Sequence, residues 1–268
     1  MSFSDDYYAN HGGLTPAEYV ARHIYGSAME MDRIQRTVAA IPADTTSLLD
    51  VGAGHGVLLS LYAAARGVRG VGVEITPAKV EYAQSCGVDL RLGTAEKLPF
   101  GDGAFDAVVA CEVIEHLPFG VYEAALAEMA RVARRTVVLS VPNEEDRPFV
   151  RCPYCGARIN PYYHFRSFSA ASMRGIVPGF ELVSTVGVGT VRVSPLLSLG
   201  RRLLDRAWPL SLVCACCGYR APTPEANAAP VATGGARLQR TARHIARWLP
   251  ASSKPNWLIA VYARDDRG

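Results

Sequence analysis

The sequence has little net charge and no long apolar run, and each absence excludes a class of protein. The 268 residues carry a formal net charge of only +3, which gives no reason to expect nucleic acid as a partner. No run of about eighteen apolar residues occurs, so we expect no transmembrane helix. The opening MSFSDDYYANHGG also lacks the basic start and apolar run of a signal peptide. These absences predict a cytoplasmic protein.

Short apolar runs alternate with helical patterns through the first half of the chain. Such alternation is typical of an α/β fold whose parallel sheet is covered on both faces. A helix is also predicted from Ser169. The predicted strands are 47–51, 68–74, 88–93, 105–111 and 135–141, and the predicted helices between them are 55–67, 76–86 and 120–133.

The run LLDVGAGHG at 48–56 combines a buried strand with a glycine-rich turn. Gly52 and Gly54 allow the backbone to turn tightly and to approach a ligand, and a dinucleotide-binding loop begins in the same way. Two observations disfavour a dinucleotide. Asp50 suits a cationic amino group better than a pyrophosphate, and Val57 takes the place of the last glycine. Glu74, at the end of the second strand, suits ribose hydroxyls in either case.

Two further motifs follow in order, GTAEKLPF at 93–100 and FDAVVACEVIEHL at 105–117. Together with the glycine loop and Glu74, they resemble class I S-adenosylmethionine-dependent methyltransferases over residues 45–190. The resemblance implies a Rossmann-like α/β fold with a seven-stranded sheet, mostly parallel, whose last strand runs antiparallel. NWLIAVYAR at 256–264 fits that last strand.

The resemblance also implies how the cofactor S-adenosylmethionine is bound. Asp50 and the glycines would bind its methionine end, Glu74 would bind the ribose diol, and Ala95 and Glu96 would flank the adenine. His55 is unusual where a small residue is common, and its role stays open. The cofactor-binding residues implied are Asp50, Gly52, Ala53, Gly54, Glu74, Ile75, Ala95, Glu96 and Cys111.

Acidic and histidine side chains follow the fourth strand. Glu112, Glu115 and His116 would share a face of a helical turn, and His164 follows in YYHFRSFS. The order resembles small-RNA 2′-O-methyltransferases, in which such residues bind a divalent ion, and some ubiquinone-pathway O-methyltransferases carry a similar E-x-x-E-H. We therefore treat all four as candidate catalytic residues. Two interpretations of these residues stay open. They could bind a divalent metal, in addition to the zinc site described below, or a histidine could act as the base without metal.

Two C-x-x-C-G sequences predict a structural zinc site with the ligands Cys152, Cys155, Cys214 and Cys217. CPYC is also a redox motif of glutaredoxins, but a redox function leaves the second pair unexplained. Cys216 competes as a ligand, because CACC offers three sulfurs. The inserted cysteines and H-x-R-S-F resemble a subset of methyltransferases encoded with bacterial glycan and natural-product pathways. That likeness suggests a sugar-like acceptor.

Taken together, the motifs predict an S-adenosylmethionine-dependent O-methyltransferase for a sugar or glycosylated natural product. Residues 1–44 would form an N-terminal helical lid. Residues 45–268 would form the methyltransferase domain, with the zinc-binding insertion within about 150–220. Two alternatives are an N-methyltransferase for an amino sugar and a non-catalytic cofactor-binding protein whose zinc knuckles recognise a partner. A homodimer is compatible with the sequence.

Overall fold

The computed structural model describes residues 14–145, 149–194, 212–214, 216–219 and 251–264. These residues divide into two compact units. The first contains the described residues up to 145, residues 164–189 and residues 255–264. The second contains the remainder, between 149 and 163 and between 190 and 254. His164, the last candidate catalytic residue, therefore belongs to the first unit, whereas the four paired cysteines belong to the second.

A seven-stranded sheet forms the centre of the first unit, in the order β3-β2-β1-β4-β5-β11-β8. β11 pairs antiparallel with both β5 and β8, while the pairs from β3 to β5 are parallel. The prediction of a mostly parallel sheet with an antiparallel last strand is confirmed. The strands are β1 (Leu48–Val51), β2 (Val71–Glu74), β3 (Asp89–Leu92), β4 (Phe105–Cys111), β5 (Ala133–Pro142), β8 (Phe180–Val188) and β11 (Trp257–Arg264).

Side chains on the two faces of the sheet pack into two separate hydrophobic clusters. In β4, Val108 and Ala110 belong to one cluster, and Ala107 and Val109 to the other. This alternation follows from the pleat of a strand, and burial on both faces explains why the sequence shows continuous apolar runs. The covering helices are α1 (Pro16–Tyr19), α2 (Ala28–Ala40), α3 (Val57–Arg66), α4 (Pro77–Ser85) and α5 (Val121–Val132).

Local signals in the sequence set several helix boundaries. Thr15 and Glu18 form the capping box that begins α1, and a π-helical segment, Val20–Tyr25, follows α1 directly. Gly67 ends α3 in a left-handed conformation. The helix predicted from Ser169 is wrong, because residues 170–175 form turns that end at Gly175, whose φ is +68°.

The second unit contains short antiparallel pairs. β6 (Val150–Arg151) pairs with β7 (Arg158–Ile159), and β9 (Val191–Val193) pairs with β10 (Ser252–Lys254). This unit extends past the insertion predicted within 150–220, since β10 lies near residue 250. Residues 1–13 of the predicted lid lie outside the described residues. In the part of the chain that the structure describes, no helix has the length and apolar character needed to cross a membrane.

Candidate functional site

The glycine loop, residues 52–56, follows β1 at the carboxyl end of the sheet. The backbone N–H of Gly52 donates to the carbonyl oxygen of Val73 at 2.7 Å, and the N–H of Gly54 donates to Oε2 of Glu74 at 2.9 Å. Oε1 of Glu74 accepts from the N–H of Thr76 at 2.9 Å. The loop therefore lies beside the carboxyl end of β2. The strand order reverses between β1 and its other neighbour, β4, and ligands bind at such a reversal in open α/β sheets.

Gly52 is required for both conformation and space. Its φ is +71°, and a Cβ atom there would lie 2.5 Å from Cγ2 of Val113. We predict that Gly52→Ala lowers the free energy of unfolding by about 2–4 kcal/mol, from backbone strain and the clash together. Gly54→Ala is the matched control. Its φ is +56°, yet no described atom lies within 4 Å of the added Cβ. Chemical denaturation of both variants measures the difference, and equal losses would contradict a clash.

Asp50 is a buried acid whose pKa the nearby charge of Arg33 lowers only in part. It is 2% exposed, and its Oδ1 has no hydrogen-bond partner among the described residues. Burial raises the pKa of Asp50 to about 8, and the nearby charge of Glu74 adds to the increase. A buried carboxyl group of this kind is stabilised by a cationic ligand, which supplies the missing charge and hydrogen bond.

Arg33, from α2, is a residue that the sequence analysis missed. It is 6% exposed, its Nη2 forms an ion pair of 2.7 Å with Glu30, and its guanidinium lies 5.4 Å from the centre of the Trp257 ring. Its Nη1 is buried and has no hydrogen-bond partner among the described residues. Arg33 and Asp50 thus present a buried cation and a buried acid in one unit, each with an unused hydrogen-bonding atom. A zwitterionic amino-acid group would satisfy both.

The remaining residues predicted to bind the cofactor lie in the glycine loop or at and just after the ends of β2, β3 and β4. Cys111 ends β4, and its Sγ lies 3.7 Å from Oγ1 of Thr37. Burial raises the pKa of the Cys111 thiol to about 11, so this thiol is neutral at physiological pH. Ile75 exposes 41% of its surface directly after Glu74. The half-buried members of the set are Ala53, Ala95 and Glu96.

Glu112 follows β4 with a left-handed backbone, at φ +55°. A non-glycine residue pays a conformational cost in this region, and such residues concentrate at functional sites. Its Oε2 accepts a hydrogen bond of 3.0 Å from Nε1 of Trp257, and its buried Oε1 has no partner among the described residues. Burial is the main reason that the pKa of Glu112 is raised.

Glu115, His116 and His164 converge. One potential ligand atom from each lies within 4.8 Å of the others, and Glu112 is outside this group. The imidazole rings of His116 and His164 meet edge to face at 4.6 Å, and Nδ1 of His164 lies 2.5 Å from Oε2 of Glu145. Glu115 is 1% exposed, and burial raises its pKa well above the usual value.

Arg166 fixes the segment that carries His164 against the turn that carries His116. Its guanidinium donates to the carbonyl oxygen of Leu117 and lies 3.9 Å from the centre of the Tyr122 ring. The N–H of Phe165 donates to the carbonyl oxygen of Glu115 at 2.8 Å. These contacts are not visible as a sequence pattern, because they join residues that are about fifty positions apart.

The four paired cysteines form a second group, in the second unit. Sγ of Cys152 lies 3.7 Å from Sγ of Cys217, and the sulfurs of Cys155 and Cys214 are separated by the same distance. All four sulfurs lie within 4.8 Å of one another, and Cys216 is exposed and outside the group. A disulfide needs about 2.05 Å, whereas a tetrahedron with Zn–S bonds of about 2.3 Å has edges of about 3.8 Å. The separations therefore fit zinc.

Each cysteine pair lies in the same kind of turn. The N–H of Gly156 donates to the carbonyl oxygen of Cys152, and the N–H of Gly218 donates to that of Cys214. Both glycines have a φ near +74°, as such turns require. The hydroxyl of Tyr163 donates to the carbonyl oxygen of Val213 at 2.6 Å, which ties the segment after the first pair to the second pair.

Comparison with known proteins finds a family match within residues 49–141. Residues 49–141 match the family model described as a methyltransferase domain. The chain is 42% identical over 82 residues to a ubiquinone biosynthesis O-methyltransferase of Azorhizobium caulinodans, over 28% of this chain and 32% of that protein. It is 34% identical over 149 residues to a probable S-adenosylmethionine-dependent methyltransferase of Mycolicibacterium smegmatis, over 53% and 54%. The chain thus spans about a third to a half of these relatives.

Among solved structures, the fold is similar to a chain in the complex of the Haloferax volcanii Trm112 methyltransferase activator with a putative methyltransferase. The TM-score is 0.57 at 17% identity, over 98% of this chain and 99% of that one. At this identity the likeness concerns the fold alone, and it agrees with the seven-stranded sheet described above.

Proposed function

We propose that this chain, which carries an S-adenosylmethionine-dependent methyltransferase domain, methylates a hydroxyl group of a small acceptor such as a sugar or glycosylated natural product. The observation that carries the proposal is the pairing of His164 with Glu145. Nδ1 of His164 lies 2.5 Å from Oε2 of Glu145, and the His164 ring contacts the His116 ring. A hydroxyl group must lose its proton to a base as it attacks a methyl group, and a carboxylate–imidazole pair provides that base.

The residues of the first unit fit the cofactor. We expect Asp50 to accept hydrogen bonds from the ammonium group of its methionine end, and Arg33 to bind the carboxylate, because each has a buried unused atom. Glu74 and the exposed side chain of Ile75 would face the ribose and the adenine. When bound, S-adenosylmethionine supplies a methyl group on a positively charged sulfur.

In the proposed mechanism, Glu145 keeps the proton of His164 on Nδ1, so that Nε2 is the basic nitrogen. Nε2 takes the acceptor's hydroxyl proton as the oxygen attacks, and the resulting imidazolium is stabilised by the Glu145 carboxylate. Glu115 and His116 orient the acceptor from the turn after β4. Alignment also contributes to the rate, since in-line transfer needs close and directed approach.

A divalent metal at Glu115, His116 and His164 is the alternative that the convergence of these side chains supports. A carboxylate and two imidazoles suit zinc, iron or manganese, and such an ion lowers the pKa of a coordinated hydroxyl. Chelation distinguishes the two mechanisms. Activity that survives thorough chelation, without metal bound near Glu115, would exclude the metal. An N-methyltransferase for an amino sugar needs a base but no metal.

We predict that His164→Ala lowers kcat about 100- to 1000-fold toward a hydroxylated sugar while leaving S-adenosylhomocysteine affinity within about twofold of the wild type, since only the base is lost. Phe165→Ala, at the exposed neighbouring position, is the matched control. The assay measures S-adenosylhomocysteine release from a panel of sugars and amino sugars, with the methylated atom identified by NMR. Methylation of amines alone would favour the N-methyltransferase. Cofactor binding without any turnover would favour a non-catalytic protein.

A further inference from the structure

His55 lies in the glycine loop, and the proposed function assigns it no role. It stands between Gly54 and Gly56, both of which have a left-handed backbone. Gly54 donates to Glu74, and Gly56 begins α3. Since the backbone on either side is fixed in this way, the His55 side chain leaves the loop in a defined direction.

The ring of His55 contacts two tyrosines from different helices. It stacks on Tyr19 with centroids 5.4 Å apart and planes 26° apart, and it meets the edge of Tyr82 at 5.6 Å and 78°. Tyr19 in turn contacts His23 at 5.0 Å. We call these four residues the ring cluster. Aromatic pairs with such separations are attractive beyond the area they bury.

Tyr19 belongs to the N-terminal helical segment, residues 16–25. It ends α1, and the π-helical turns that follow begin at Val20. The Tyr19 ring therefore contacts both His23 of its own segment and His55 of the glycine loop. π-Helical turns occur often at functional sites, because they displace side chains from the regular helical positions. The ring cluster thus joins the N-terminal segment to the glycine loop.

We propose that His55 is a positioning residue that couples the N-terminal segment to the glycine loop, so that cofactor binding and docking of residues 16–25 stabilise each other. The inference rests on the proposed cofactor site. A cofactor seated on the backbone of Gly54 holds the neighbouring His55 in the stacked position, and the stacked Tyr19 holds the loop in the binding conformation. Such coupling is reciprocal by thermodynamic necessity.

A double-mutant cycle tests the coupling with S-adenosylhomocysteine as the probe and the full chain as the protein. We expect His55→Ala and Tyr19→Ala each to raise the Kd by about two- to tenfold, the range that one aromatic pair contributes. The Kd of the double variant should not exceed that of the single variant with the higher Kd, because each substitution alone already removes the His55–Tyr19 contact. His55→Phe keeps a ring and should restore most of the affinity. Tyr25→Ala removes an exposed ring from the same segment and is the control.

Trypsin cleavage after the exposed Arg22 gives a second readout. Saturating S-adenosylhomocysteine should slow this cleavage in the wild type and in His55→Phe, and should leave it unchanged in His55→Ala. Unchanged Kd values in both single variants, or a double variant whose loss is the product of the two single losses, would overturn the coupling. Failure of the wild type to bind S-adenosylhomocysteine would instead overturn the proposed function.

Discussion

Cys217→Ser and Cys152→Ser are each expected to remove the bound zinc completely, from about one ion per chain to none after gel filtration. A structural zinc ion contributes on the order of 10 kcal/mol to the fold that binds it, so the second unit should lose its structure. Affinity for S-adenosylhomocysteine should stay within about twofold, because the residues proposed to bind it belong to the first unit. Elemental analysis and calorimetry on the same samples measure both effects.

Cys216→Ser is the matched control for the zinc prediction. Cys216 lies in the same turn as Cys217, but its sulfur is outside the group of four. The control should retain its zinc. Unchanged zinc content in Cys152→Ser and Cys217→Ser would contradict the predicted zinc site. If Cys216→Ser loses its zinc and Cys217→Ser retains it, Cys216 is the ligand in place of Cys217.

Asp50→Asn is expected to weaken S-adenosylhomocysteine binding about 10- to 150-fold, which corresponds to one buried hydrogen bond to a charged group. The wild type should also bind more tightly as the pH rises from 6 to 8, by up to about tenfold per pH unit. The reason is that the pKa of Asp50 is about 8 without ligand, and the carboxyl group must lose its proton to pair with an ammonium group. The variant should lose this pH dependence.

The same substitution is expected to stabilise the ligand-free protein. The pKa of Asp50 lies above that of an aspartate in an unfolded chain, so the folded state binds more protons and stability falls as the pH rises from about 4 to 8. Asn removes this dependence, and Tm at pH 8 should exceed that of the wild type. Val51→Ala, on the opposite face of β1, is the control, which should lower Tm without changing the pH dependence of binding. Equal affinity of Asp50→Asn and the wild type would refute an ammonium contact.

The sequence predicted those features that depend on local patterns. The strand that ends at Cys111 was predicted at its observed bounds, because its apolar run is buried on both faces. The helix at Ser169 was wrong, since Gly175 stops a segment too short to establish a helix. Arg33 was missed because its guanidinium packs near Trp257, a residue far away in the sequence, and no motif connects the two. The pairing of His164 with Glu145 also depends on how two loops meet in the first unit.

The position of β11 in the sheet has a consequence for synthesis. β8 precedes β11 in the chain, yet β11 is the strand that lies between β8 and β5. During translation the first five strands can associate as they leave the ribosome, whereas Phe180–Val188 must wait for a neighbour made almost seventy residues later. Until then this stretch, with Val183 and Val186 among its apolar side chains, is an unpaired β-segment that chaperones could recognise.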